Sequence, residues 1–274
     1  PLAHPERFGG DVRDAFTVIV PSLPGYGFSD PPDEPISHRQ IGALWHELIV
    51  GVLGCTRYVA QGGDVGAMVS SWLALDRPEG MRGLHLNRVA FEAEIGEGVE
   101  PLDEAEKAWF RASGRRREGE MGYQQIQSTK PQTLAYGLTD SPAGLAAWIL
   151  EKFQGWTVRG TDAPPPFDMG HLLTNVMLHW LGGPNAPTWT YPFSLLPATR
   201  RPPIGSRVQV PTGVLLCPND TTLPPPDRWI RRSYNLVHRR DAESGGHFAA
   251  FEKGALFVED LRTFCRPYRD VEAA

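Results

Sequence analysis

The chain has 274 residues, enough for one core with an inserted cap or for two small domains, and at 41% hydrophobic and 22% charged it has an ordinary globular balance. A net charge of −5 at pH 7 argues against a polyanion-binding surface, so no nucleic-acid partner is expected, and no run of about 18 apolar residues exists to cross a membrane. Cys55, Cys217 and Cys265 stand far apart without metal-ligand spacing, and reduced thiols in a cytoplasmic protein are the simplest account of them.

Taken in order, Ala15–Val20 is a continuous β-prone run and predicts a buried parallel strand, followed by a Pro/Gly loop from Pro21 through Asp30. Ser37 can cap a helix whose apolar positions Ile41, Leu44, Trp45, Leu48, Ile49 and Val52 keep a helical period. Tyr58 to Gln61 reads as a strand, a helical segment follows to Asp76, and Gly83 to Leu86 reads as the next strand. From about Phe91 the pattern becomes helical. Pro101 to Gly119 is a charged helix and Gly122 to Tyr136 a polar stretch. Ser141 and Asp168 cap two further helices, and Gly182 to Pro203 is a Pro/Gly-rich return linker. Strand character resumes at Val208–Cys217 and at Leu236–Arg239, with a short helix over Asp227–Ser233 and a final amphipathic helix through Phe264. The alternation predicts an α/β fold: a parallel sheet from residues 1–90 and 208–274, with a helical cap inserted over 91–207.

The stretch with chemical content is Gly62-Gly63-Asp64-Val65-Gly66, between a strand and a helix. It has the small-x-nucleophile-x-small form of a nucleophile elbow, with Asp at the corner where the better-known version has Ser. A helix N-terminus aimed at the carboxylate keeps it ionised. The plain alternative is a loop aspartate capping a helix. Two more candidates fall on strand ends. Asp220 follows Pro218-Asn219 and is otherwise a turn residue; His247 follows Gly245-Gly246 and is otherwise a structural histidine. The order Asp64, Asp220, His247 is the nucleophile, acid, histidine order of α/β-hydrolases.

Several runs carry a closer resemblance: Gly62–Gly66, Gly122–Pro131, Leu138–Phe153 and Gly245–Glu252. Together they make essentially the whole chain resemble epoxide hydrolases of the microsomal type. The resemblance implies that Asp64 attacks an epoxide carbon and that His247, held by Asp220, activates water against the resulting ester. It implies that the Val65 N–H faces the oxyanion and that Tyr123 and Tyr191 donate to the epoxide oxygen. Tyr26 and Tyr136 are the fallback donors. The product is a vicinal diol, as in detoxification, and no cofactor or metal is called for. The implied partner is a small apolar epoxide, with a pocket lined by Trp148, Phe153, Trp156, Trp180 and Trp189, and a homodimer is compatible with it.

The resemblance also breaks. Family members carry, ahead of the first strand, a His-Gly-Trp-Pro loop that supplies a second oxyanion donor, and that motif is absent from this chain. An N-terminally truncated sheet lacking its first strands is therefore expected, with reduced stability and activity. The alternatives are a dehalogenase-like hydrolase, disfavoured because Val65 offers no halide donor, and a non-catalytic remnant of the fold.

Overall fold

The computed structural model describes residues 1–157, 166–183 and 186–269. Four strands, β1 (Tyr58–Gly62), β2 (Met81–Leu86), β3 (Val208–Leu216) and β4 (Tyr234–Asp241), form one parallel sheet in the order β1-β2-β3-β4. Gly62 pairs with Leu86, Leu86 with Val214, and Leu216 with Asp241, so all four C-terminal ends open on one edge. In parallel α/β sheets that edge is where ligands bind.

Ahead of β1 lies α1 (His38–His46), started by a capping box in which Ser37 and Gln40 satisfy each other's backbone N–H groups; it runs on as a π turn over Glu47–Val52. Leaving β1, the chain enters α2 (Asp64–Asp76), which carries Trp72 and Leu73 into a core with Leu84, Leu86, Phe91, Val214, Ile230 and Tyr234. Between β2 and β3 come α3 (Glu104–Arg117), α4 (Gly122–Thr129), α5 (Pro131–Asp140), α6 (Pro142–Gly155), α7 (Met169–Gly182) and the short α8 (Pro197–Arg200), which make up the cap. α9 (Asp227–Ser233) joins β3 to β4, and α10 (Ala249–Glu252) and α11 (Gly254–Cys265) close the chain. Phe257, Leu261 and Phe264 of α11 pack with Leu215 to form a second apolar cluster.

One sequence expectation needs correction, and two stretches left without assigned structure gain elements. Phe16–Val20 is not a strand: among the described residues its backbone pairs only through the Phe16 N–H to the Leu2 carbonyl, and Val18, Ile19 and Val20 are exposed. β-propensity makes a strand only beside a partner, and no described strand lies beside it or on the free edge of β1. The polar stretch from Gly122 to Tyr136 folds as α4 and most of α5, broken at Lys130-Pro131 where proline starts a new helix. The return linker holds a 3₁₀ segment, Ala186–Phe193, as well as α8; Pro184 and Asn185 lie outside the described residues. The three cysteines are free, and no helix among the described residues is long and apolar enough to cross a membrane.

The sheet is tied to α11 by a buried polar bridge. Asp260 accepts from His85 Nε2 at 3.0 Å and His238 Nε2 at 2.8 Å, and His85 and Asp260 are both fully buried. Burial pushes the Asp260 carboxyl up, but the two histidine bonds outweigh it and hold the group below the ordinary carboxylate range. Its contribution to stability is therefore present above that range and lost as pH falls through the folded-state value. We expect Asp260→Asn to destabilise the fold by about 3–5 kcal/mol, because it strands a buried network. Urea unfolding at pH 7 measures this, and an unchanged midpoint would contradict it.

Candidate active site

Asp64 occupies the corner between β1 and α2 with φ 45°, the one non-glycine residue in the left-handed region among the described residues. Such a backbone costs about 1–3 kcal/mol and persists where its surroundings enforce it. Gly62 is one of the enforcers. A Cβ there would lie 2.2 Å from the Gly66 carbonyl oxygen, so only glycine lets the strand and helix cross this closely. Gly66 has open space around its own Cβ position; what the crossing uses is its backbone.

The other strand ends converge on Asp64. Asp220 follows β3 and His247 follows β4, and the two loops are zipped by the Asn219 N–H to the Gly245 carbonyl, 3.0 Å. His247 Nδ1 lies 2.7 Å from Asp220 Oδ1 and its Nε2 lies 3.7 Å from Asp64 Oδ1. An ionised carboxylate only accepts, so Nδ1–H donates to Asp220 and Nε2 faces Asp64. Arg88, two residues past β2, donates from its guanidinium to Asp64 Oδ1 at 2.7 Å.

The electrostatics follow from these charges. Burial pushes the Asp64 carboxyl up, but His247 and Arg88 more than offset it, with the Val65 N–H adding a hydrogen bond; the group stays well below the usual carboxylate range. Asp220 is lowered in the same way, burial being outweighed by His247 and then Arg88. Burial pushes His247 down, and the charges of Asp64 and Asp220 reverse that and raise it to about 9.

Above this floor is a cavity of about 490 Å³. Tyr123 of α4 and Tyr191 of the 3₁₀ segment line it, their rings edge to face at 6.0 Å. Burial, then the Asp64 charge, raises the Tyr123 phenol to about 12; burial, then neighbouring Tyr26 and Tyr123, lifts Tyr191 well above the ordinary value. Both phenols thus carry their protons at neutral pH. The sequence expectation places Trp148, Phe153, Trp156, Trp180 and Trp189 in the pocket, but of that set only Trp156 lines the cavity. Phe153 instead stacks on Phe248, and Trp148 and Trp180 pack against the cap's own core. Trp109, Phe110 and Trp229 supply the aromatic wall, and Arg88, Arg117, Arg200 and Arg201 make the lining more polar than expected. Tyr136 is exposed and away from the cavity; Tyr26 is half-buried and also outside the cavity lining, and desolvation of its phenol raises it to about 12. No group of described residues could hold a metal ion.

Three contributors escape a sequence reading. Arg88 touches the nucleophile candidate, Glu252 accepts the Gly246 and Phe248 N–H groups (2.9 and 3.0 Å), and the Trp156 carbonyl accepts the His247 N–H at 2.9 Å. A Cβ on Gly246 would lie 2.2 Å from that Trp156 oxygen, which accounts for the glycine before the histidine. Arg88 has a positional signal, being just past a strand that ends on the active edge; the other two depend on tertiary approach.

No family model matches the chain. A protein of Stigmatella aurantiaca (strain DW4/3-1) is 39% identical over 274 residues, covering 98% of this chain and 60% of the relative. Epoxide hydrolase 1 of Sus scrofa is 32% identical over 293 residues, covering 96% and 63%. The crystal structure of juvenile hormone epoxide hydrolase from the silkworm Bombyx mori superposes with a TM-score of 0.77 at 30% identity, over 90% of this chain and 63% of that one. The chain spans about three fifths of the length of these relatives. It has the α/β-hydrolase fold with a helical cap, and its named relatives and structural neighbours include epoxide hydrolases of that fold.

After His247, Arg88 is the next charge that lowers the Asp64 pKa, so Arg88→Met is expected to raise that pKa. Carboxyl carbon NMR titration of Asp64 reads this directly, and an unmoved titration would contradict the ion pair's role.

Proposed function

We propose that this chain hydrolyses epoxides to vicinal diols through a covalent ester on Asp64. The observation that carries this reading is the approach of His247 to both carboxylates, 2.7 Å from Asp220 and 3.7 Å from Asp64, beneath a cavity lined by two protonated phenols. A carboxylate nucleophile, a histidine poised beside it and acids facing it are what ring opening followed by ester hydrolysis requires.

In the first step an Asp64 oxygen forms a bond to an epoxide carbon while that carbon's bond to the ring oxygen breaks. Negative charge develops on the ring oxygen, and Tyr123 and Tyr191 face it as hydrogen-bond donors, one of them giving up its proton. His247 is protonated at this stage because Asp64 and Asp220 are both charged, and its charge supports the ionised nucleophile. Alkylation then erases the Asp64 charge. One of the two carboxylate charges that raised His247 is then gone, burial regains weight, and the imidazole gives its proton to solvent. Neutral His247 takes a proton from water at Nε2, the hydroxide adds to the ester carbonyl, and the Val65 N–H faces the resulting oxyanion. Collapse frees the diol and restores the Asp64 carboxylate, the proton released by the hydrolysis returns to the tyrosinate, and His247 takes its resting proton back from solvent.

A dehalogenase reading gains nothing from two of the cavity's three tryptophans, Trp109 and Trp156. Their indole N–H groups are engaged by the Leu223 carbonyl at 2.8 Å and Glu120 at 3.0 Å. The substrate in the proposed reading is a small epoxide with apolar surface for the aromatic wall, and two copies of the chain acting as a homodimer are compatible with it.

The test is turnover of styrene oxide by the purified protein. Asp64→Asn should abolish it, and His247→Gln should trap an adduct on Asp64 visible by intact mass. Absence of turnover in the parent protein, or turnover surviving Asp64→Asn, would refute the reading. Tyr123→Phe should slow alkylation by about 10²-fold or less, since Tyr191 still donates; stopped-flow tryptophan fluorescence reads the step, and an unchanged rate would reassign the donor.

A further inference from the structure

The cavity's charges do not all cancel. Asp64 is met by Arg88 and His247, and Asp220 by His247. Glu92 is shared by Arg200 at 3.1 Å and Arg201 at 3.5 Å, and Glu94 adds to Arg201 at 3.7 Å. Glu120 accepts the Trp156 indole. Arg117, at the last turn of α3, has no hydrogen bond or ion pair from its guanidinium among the described residues, although it is half-buried and lines the cavity. Of the charges acting on it, the like charge of Arg88 weighs most, then Glu92, which is already shared, and then the like charge of Arg200. Burial, and then those two arginines, lower its affinity for its proton, the mark of a cation short of counter-charge.

The surroundings leave room for a ligand group. Gly114, three residues earlier on α3, also lines the cavity, and a Cβ there would meet nothing within 4 Å. Glycine inside a helix costs about 1 kcal/mol against alanine, so its place here is not explained by helix stability. Ser113, one turn before Arg117, is buried in the same wall with a hydroxyl that has no partner among the described residues, so it does not take the bond to the preceding turn's carbonyl open to helical serines. Arg117 acts electrostatically on Tyr123, the phenol raised by Asp64, so it faces the reacting region and not a remote pocket.

Resting on the hydrolase reading above, we infer that the cavity selects epoxides carrying a carboxylate remote from the ring, and that Arg117 is the residue that receives it. A planar guanidinium with its donors uncommitted matches a carboxylate in two parallel hydrogen bonds. Trp109, Phe110 and Trp229 would enclose the apolar spacer between the two ends. The acid groups of the lining do not repel such a substrate strongly, since each is already met by a cation or a donor.

The experiment compares 4-(oxiran-2-yl)benzoate with its methyl ester, using styrene oxide as reference. The protein is expected to favour the acid in kcat/KM by about tenfold or more, the worth of one charge-assisted hydrogen bond. Arg117→Met should remove most of that preference and Arg117→Lys should restore part of it, with folding of each variant checked by near-UV circular dichroism. A parent preference of one or below, or a preference untouched in Arg117→Met, overturns the inference. If styrene oxide and the ester are turned over without any preference for the acid, the subsite fails and the hydrolase reading stands. If nothing is turned over, the hydrolase reading fails, and tryptophan fluorescence binding of 4-ethylbenzoate against 4-ethylbenzamide decides the subsite alone. Tighter benzoate binding that is lost in Arg117→Met supports it, and equal affinities overturn it.

Discussion

One carboxylate at a strained corner organises this molecule. Asp64 stands at φ 45° where the first sheet strand turns into a helix, and its charge is held by Arg88 at 2.7 Å and faced by His247 at 3.7 Å. Each of the three is mutually dependent. The carboxylate stays ionised on the cavity floor because two cations face it, and the histidine stays protonated because two carboxylates face it. In the proposed reaction this coupling gives the histidine its timing: it is a cation while the nucleophile is charged and becomes a base once the charge is consumed.

The fold's task is to bring that carboxylate, its acid partner and the histidine to one place from positions far apart in sequence. A parallel sheet does so because all four strands end on the same edge. What fixes the distances is local. The bare Cα of Gly62 admits the Gly66 carbonyl, and that of Gly246 admits the Trp156 carbonyl. The second approach joins the histidine loop to the cap, and Trp156 also lies edge-on to Tyr123, with ring centroids 5.4 Å apart. The cap therefore supplies the phenols and braces the base together. Lys152 sits over the faces of Tyr123 and Trp156 at 4.7 and 5.5 Å, so one α6 side chain spans both rings.

Much of this could be read from the sequence, and the reasons differ by element. The elbow is legible because its chemistry demands small residues at fixed offsets from one functional residue. Asp220 and His247 are legible because strand ends in an α/β alternation are where such residues collect. Phe16–Val20 misleads because an apolar β-prone run fixes only a propensity, while a strand also needs a neighbour to pair with. The pocket wall misleads because cap aromatics at helical spacing serve the cap's own core as readily as a cavity; Trp148 and Trp180 went inward, while Trp109 and Trp229 face the site. Arg88 and Arg117 carry no motif at all, and their importance lies in which charges surround them, which only the assembled cavity defines.

The central claim is that an Asp64 oxygen, and not one from water, first bonds to the substrate. A single turnover in ¹⁸O-water with protein in excess over styrene oxide tests it by mass spectrometry. The account predicts an unlabelled diol with the heavy oxygen retained in the Asp64 carboxylate; a diol labelled in that first turnover would contradict it.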